Sequence, residues 1–366
     1  MAQTVSYQCP SCGGDLRFSP DRQKFACEFC GSEYTAEKIK ELYPEGDEEP
    51  RGEAQAQQSA QTGQAPPQED GEDEFSRHAV AFSCPNCGAQ VMTTDTTAAT
   101  ECYYCHNPVV LKGRLSGEMR PQLVIPFAVS KKEVQDKFVA WCHSKWFLTN
   151  HFARETQLEK VQGVYLPFWL ADCTCQGSLQ GTGTNLREWR RGDTIYTEHK
   201  QYEVVREGTA RFSNIPQLGL NKVDEGLVNG IWPYHLEKVE EFSMSYLSGF
   251  LAEQYNRSKE ELLPVLNEQS MDYTQNLLRD TVEHYDSFRV DWARGAMTDS
   301  KWRYALFPVW LLNTTYRGKP YSFAVNGQTG AVYGTLPLSP YRLAILFGSV
   351  AVGVFLLLFL LGGMLG

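Results

Sequence analysis

Eight cysteines fall on one ruler that is used twice. Cys9 and Cys12 precede Cys27 and Cys30, and Cys84 and Cys87 precede Cys102 and Cys105. In each set fourteen residues separate the two CxxC pairs, and the second set begins 75 positions after the first. Two tight turns brought face to face by a short hairpin supply four soft thiolates, the donor set of a tetrahedral structural zinc site. Glycines follow three of the four pairs (Gly13, Gly31, Gly88), where positive φ lets backbone N–H groups approach sulfur. His106 stands where the fourth would fall and is read as a turn residue. The spacing predicts two zinc ribbons and two Zn2+ per chain, with all eight cysteines as ligands.

Other readings of these thiols fit less well. Disulfides need an oxidising compartment, and the opening Met1-Ala-Gln-Thr-Val-Ser-Tyr7 lacks the basic head and apolar core of a secretory signal. Four thiolates also close the coordination sphere and leave no position for a reacting water, so the expected sites are structural.

The elements that must position these sites are read from pattern and composition. The chain has 366 residues, 42% hydrophobic, with eight Trp, 18 Tyr and 19 Phe. Its net charge of −10 is concentrated: residues 45–74 hold ten acids and one base, and the remainder is nearly neutral. That stretch of Gln, Ala, Gly, Pro and acid has no apolar period and is expected to be a disordered linker, leaving the first ribbon as a tethered head.

Further along, Ser130-Lys-Lys-Glu133 reads as a capping box opening a helix with Val134, Phe138, Trp141, Cys142 and Trp146 on one face. A second helical zone is expected over Phe242–Tyr285, with a box at Ser258–Glu261 and a kink or split at Pro264. Strand-like runs cover Val164–Cys175, Tyr202–Phe212 and Arg303–Thr315. Two last strands are joined by the turn Asn326-Gly-Gln-Thr-Gly330. Tyr165-Leu-Pro-Phe-Trp-Leu170 and Leu306-Phe-Pro-Val-Trp-Leu311 echo one another, as two core strands of similar needs or as a duplicated unit. From Leu343 to Gly366 no residue is charged, and 24 helical residues would rise about 36 Å, enough for one bilayer crossing. Arg342 precedes this run and no base follows it, which places the bulk of the chain on the cytoplasmic side of a cell membrane.

The expected class is therefore α+β: two small β zinc ribbons, a larger mixed α+β domain and one C-terminal transmembrane helix. The expected boundaries are 1–43 for the first ribbon, 44–78 for the linker, 79–113 for the second ribbon, 114–340 for the α+β domain and 341–366 for the membrane helix.

Residues with other chemistry assemble into no catalytic constellation. There is no phosphate-binding G-x-x-x-x-G-K-[ST] loop, since Gly318-Lys319 is followed by Pro320. Cys142 lies on an apolar helix face, and Cys173-x-Cys175 has no second pair nearby; both read as buried thiols. His151, His199, His235 and His284 are scattered. Nucleic acid is a disfavoured partner, because residues 1–40 hold five acids and five bases while phosphate affinity needs a surplus of bases.

The chain resembles the bacterial TFIIB-type zinc-ribbon membrane proteins of the YdjG-like group. The likeness lies in the CxxC pairs, Ile125-Pro-Phe127, Gly163-Val-Tyr-Leu-Pro-Phe-Trp-Leu170, Tyr246-Leu-Ser-Gly-Phe-Leu-Ala-Glu253, Val325-Asn-Gly-Gln-Thr-Gly330 and the apolar end. It covers nearly the whole length, and the long acidic linker between two full ribbons departs from it. The resemblance implies association with phage-shock-type envelope-stress systems and recruitment of PspA-like or SPFH (stomatin-like) partners. It carries over no catalytic residue. The resulting expectation is a non-enzymatic adaptor, anchored in the lipid bilayer, that recruits a soluble protein. The alternative is a nucleic-acid-binding ribbon protein tethered to the membrane.

Overall fold

A computed structural model describes residues 4–44, 79–84, 87, 90–102, 107–111, 115, 119–148, 152, 156 and 158–365. The expected linker, Pro44 apart, lies outside the described residues, as do Cys105, His106 and His151. The first module comprises β1 (Thr4–Val5), β2 (Leu16–Ser19), β3 (Lys24–Cys27), β4 (Glu33–Tyr34) and α1 (Ala36–Leu42). The second comprises β5 (Ala79–Ser83), β6 (Gln90–Thr94), β7 (Thr97–Glu101) and β8 (Pro108–Leu111). The body follows with β9 (Leu123–Val124), α2 (Lys131–His143), β10 (Gln162–Arg191), β11 (Thr194–Leu218) and α3 (Glu225–Asn229). It continues through β12 (Glu240–Glu241), β13 (Leu251–Glu253), α4 (Lys259–Asp280), β14 (Ser287–Tyr316), β15 (Lys319–Asn326), β16 (Val332–Gly334) and α5 (Pro340–Leu365).

The expected α+β class is corrected: strand makes up 45% and helix 26%, and an eleven-stranded sheet organises the molecule. The three strand-like runs of the sequence are parts of three much longer strands, β10 and β14 of 30 residues each and β11 of 25. β10 pairs antiparallel with β11 along one edge and with β14 along the other. The two echoed Pro-Trp segments are cross-strand neighbours in this sheet, with Tyr165 opposite Pro308 and Leu166 opposite Phe307. Side chains alternate with the strand period. Leu166, Phe168 and Leu170 join Ile231, Tyr234 and Phe307 in one buried cluster, while Tyr165 and Trp169 join Phe127, Phe250 and Trp310 in another.

α4 packs over the middle of the long sheet, where Gly208, Gly177 and Gly295 stand in one cross-strand row. A Cβ on Gly177 would lie 2.7 Å from Thr274 Cγ2, so the bare strand is what lets the helix approach. Gly177→Val is expected to cost about 1–3 kcal/mol through overpacking, read as a lower urea midpoint.

Both capping boxes start helices. The Ser130 hydroxyl accepts from the Glu133 N–H with the reciprocal Glu133 bond present, and Ser258 accepts from the Glu261 N–H. Pro264 does not split α4, which runs unbroken through it. The expected helix over Phe242–Tyr285 is shortened, because residues before Ser258 form a 3-10 turn at Met244–Leu247 and then β13. The turn after β15 is a staple. Asn326, fully buried, accepts from the Gln328 and Thr329 N–H groups at 2.9 Å and donates to the Ile231 and Pro233 carbonyls.

The single-pass membrane reading is also corrected. Among the described residues no helix is long and apolar enough to cross a membrane. Within α5 the described residues open with Tyr341 and Arg342 and supply no apolar stretch of the required length. The transmembrane helix and the cell-membrane placement with a cytoplasmic bulk are withdrawn with it.

Candidate metal centres

Each described CxxC turn is closed by backbone bonds. In the first, Gly13 N–H donates to Cys9 C=O at 2.8 Å and Cys9 N–H to Gly14 C=O at 2.6 Å. In its mate, Gly31 N–H donates to Cys27 C=O at 2.9 Å and Cys27 N–H to Ser32 C=O at 3.0 Å. Gly13 and Gly31 sit at φ +75° and +73°, a conformation that a side chain would strain. β2 and β3 are the hairpin that sets the two turns face to face.

The four sulfurs of this module lie within 4.8 Å of one another. Cys9 Sγ is 3.6 Å from Cys30 Sγ, and Cys12 Sγ is 3.5 Å from Cys27 Sγ. A tetrahedron of thiolates about 2.3 Å from a zinc-sized ion has edges of about 3.8 Å, so the cage fits such an ion. A disulfide needs about 2.05 Å, and the cysteines are free. Cys9 and Cys27 are buried, while Cys12 and Cys30 face outward.

The surroundings divide the protons unequally. Burial raises the Cys9 thiol, but hydrogen bonds from Tyr34, from the Ser11 and Cys12 N–H groups and from Cys30 outweigh it and bring the pKa to about 6. The Gly14 N–H pulls Cys12 down, yet the neighbouring Cys30 and Cys27 sulfurs leave it at about 12. The hydroxyl and N–H of Ser32 hold Cys30 below the ordinary thiol value. Cys9, Cys12, Cys27 and Cys30 would hold a dication as four thiolates, so its uptake at neutral pH would expel protons and would weaken as pH falls.

The second module repeats the pattern. Cys84 and Cys102 are buried and Cys87 is exposed; Cys87 Sγ lies 3.7 Å from Cys102 Sγ, and the Cys102 N–H donates to Asn107 C=O at 3.0 Å. The three sulfurs form a second group able to hold a metal. Among the described residues no further group of three or more His, Cys, Asp or Glu side chains gathers in this way. Cys142 is buried on α2, its thiol pushed up to about 12 by burial. Cys173 and Cys175 are buried with Ile215 and Leu266. Neither joins the metal groups.

The two modules are not loose knobs, which corrects the tethered-head expectation for the first. The segment from Phe242 to Gln254 is a platform that grips both. Tyr246 packs against Phe18 and Phe25, with ring centroids at 5.3 and 6.0 Å, and the Phe18 N–H donates to Ser248 C=O at 3.1 Å. The Ser248 hydroxyl donates to Leu16 C=O, and Phe250 stacks on Phe127 at 4.1 Å. β13 pairs with β7 of the second module, and Glu253 accepts from the Thr96 and Thr97 hydroxyls. The main sheet thus runs from β10 through β13, β7 and β8 to β1. Sequence reasoning missed this platform; its signal was the Tyr246–Glu253 motif, which carries no metal ligand.

Burial pushes the Glu253 carboxyl above its ordinary range, against the pull of Thr96, Lys222 and Thr97. A raised folded pKa favours the fold below the unfolded value of about 4.3, and that contribution is lost as pH rises through the folded value. Glu253→Gln is therefore expected to flatten the decline in thermal midpoint above about pH 4.3, measured across a pH series beside the parent chain.

This architecture, a large, mostly antiparallel sheet ending in two cysteine-bearing modules, defines a β protein with paired candidate metal sites. The chain is 31% identical over 363 residues to a Bacillus subtilis (strain 168) protein described as "uncharacterized protein YdjG", covering 99% of this chain and 98% of the relative. It belongs to the YdjG family. No family model matches the chain, and no solved structure matches it.

Proposed function

We propose that the chain is a non-enzymatic adaptor that binds a soluble protein through surfaces rigidified by two structural zinc ions, in ribbons of the TFIIB type. The observation that carries this reading is the closed sulfur cage of the first module with an aromatic presented on it. Phe29, inside the Cys27–Cys30 turn, is 78% exposed and its ring lies against Gly14. Exposed aromatics held on a rigid frame are the anchors that dominate protein–protein contacts. A cage of four thiolates has no open position for a substrate, which supports a binding role over a catalytic one. The partner we favour is PspA-like or SPFH-like, within an envelope-stress response, on the strength of the family resemblance.

Photo-crosslinking in cells from exposed position 28, beside Phe29, tests this. Recovery of one defined protein, lost after Phe29→Asp with metal content unchanged, is the expected outcome. Crosslinks to nucleic acid instead, or undiminished recovery after Phe29→Asp, would reject the reading.

A further inference from the structure

We infer that the two cysteine sites are thermodynamically coupled, so that metal held by Cys9, Cys12, Cys27 and Cys30 tightens binding at the site of Cys84, Cys87 and Cys102, and the reverse. The inference rests on the metal-binding reading and adds a link that the cysteine spacing does not contain. Three contacts form it. β1 pairs antiparallel with β8, Thr4 opposite Leu111 and Val5 opposite Val110, so the strand leading into Cys9 is an edge of the second module's hairpin. Arg17 donates to Glu101 at 3.0 Å, joining the start of β2 to the residue before Cys102. Asn107, 1% exposed, sets its side-chain amide against Asp15, and with the nitrogen assigned to that side it donates to both carboxylate oxygens at 2.6 and 2.9 Å. The opposite amide orientation would set oxygen against oxygen, so the hydrogen-bond chemistry fixes it.

The Asn107–Asp15 contact meets a ligand turn at both ends. Asp15 follows Gly14, whose carbonyl accepts the Cys9 N–H. The Asn107 carbonyl accepts the Cys102 N–H, so one residue closes a turn of the second site and reaches the first with its side chain. A metal-free module of this size has too little core to hold its turns in place. Loading one site therefore lays down a strand and two polar partners that the other would otherwise have to order for itself. Coupling through such contacts falls in a range of about 5- to 150-fold and is reciprocal by necessity. We expect about tenfold here.

The test is equilibrium Co2+ titration of the full-length chain against a competing chelator, reading thiolate–cobalt absorption. Cys27→Ser should weaken Co2+ binding at the second site about tenfold, and Cys84→Ser should weaken the first by the same factor. Asp15→Ala with Arg17→Ala keeps every ligand and cuts two of the three links. In that background both sites should still fill, and the effect of Cys84→Ser on the first site should shrink. Circular dichroism of the long sheet reports that each variant is folded. Equal affinities with and without the neighbouring ligands overturn the coupling alone, as does coupling that persists undiminished in the double variant. A parent chain that takes up no Co2+ overturns the metal reading and the coupling together.

Discussion

Stripping metal from the full-length chain with a strong chelator is expected to release two ions and unfold both cysteine modules while the long sheet of β10, β11 and β14 persists. The expectation follows from where the stabilising free energy sits. The first module's share of the core is Tyr7, Leu16, Phe18, Phe25 and Ile39 with its two buried cysteines, in a described span of 41 residues, Thr4 to Pro44. Domains near 40 residues rarely hold together without a metal or a disulfide, and structural zinc sites supply about 10–16 kcal/mol. Without the ion, sulfurs 3.5 and 3.6 Å apart are held only by hydrogen bonds to one another and to neighbours such as Tyr34 and Ser32. Acidification should have the same consequence, because protons compete for thiolate. Hydrogen exchange read peptide by peptide, alongside metal analysis, decides it. Leu16–Cys27 should lose protection as metal leaves, while Val164–Leu170 and Leu306–Leu311 keep theirs. Retained protection in the first module after complete metal loss would remove the ion from the structural account.

What the sequence made legible was local. The cysteine ruler gave one complete cage and three members of a second, because ligand spacing within a turn and across one hairpin is fixed by backbone geometry. The Ser130 and Ser258 caps marked their helices because a cap depends on four neighbouring residues. β10 and β14 were legible only over their buried ends, Val164–Cys175 and Arg303–Thr315, and β11 only over Tyr202–Phe212. In the middle of β10, Thr182 and Thr184 face outward and Gly177, Gly181 and Gly183 leave no side chain, so no apolar alternation marks a strand there. Cross-strand pairing and α4 hold that stretch instead. The platform was illegible for a different reason. Ser248 meets Leu16 across 232 positions and Arg17 meets Glu101 across 84, and no periodicity reports contacts of that span. The apolar run Tyr246–Ala252 read as helix because it is apolar, yet Gly249 at φ +94° ends the turn and sends the chain into β13.

Tyr246→Ala is expected to release the first module from the body without emptying its metal site. The ring is 4% exposed and packed against Phe18 and Phe25 of the module, while its hydroxyl donates to Glu240 of β12. Truncating a buried aromatic of this size costs about 3–5 kcal/mol, and here the loss is concentrated at one interface. The polar grip that remains on that side includes the pair of bonds between Ser248 and the β2 backbone, the Gln23 amide on Phe127 C=O at 2.8 Å and an exposed Lys40–Glu241 pair at 3.4 Å. Exposed ion pairs contribute about 0–1 kcal/mol and cannot replace the ring. The side-chain hydrogen bonds of the four sulfurs run to one another, to Tyr34 and to Ser32, so the cage should survive. Tyr246→Phe separates the two parts of the residue: it keeps the ring packing and drops only the bond to Glu240, and it should stay docked with a loss of about 1 kcal/mol. The measurements are metal content together with protease accessibility and hydrogen exchange across β2, β3 and Met244–Leu247. If Tyr246→Ala lost its metal as readily as a ligand variant does, site and platform would be one folding unit, and docking could not be varied apart from loading.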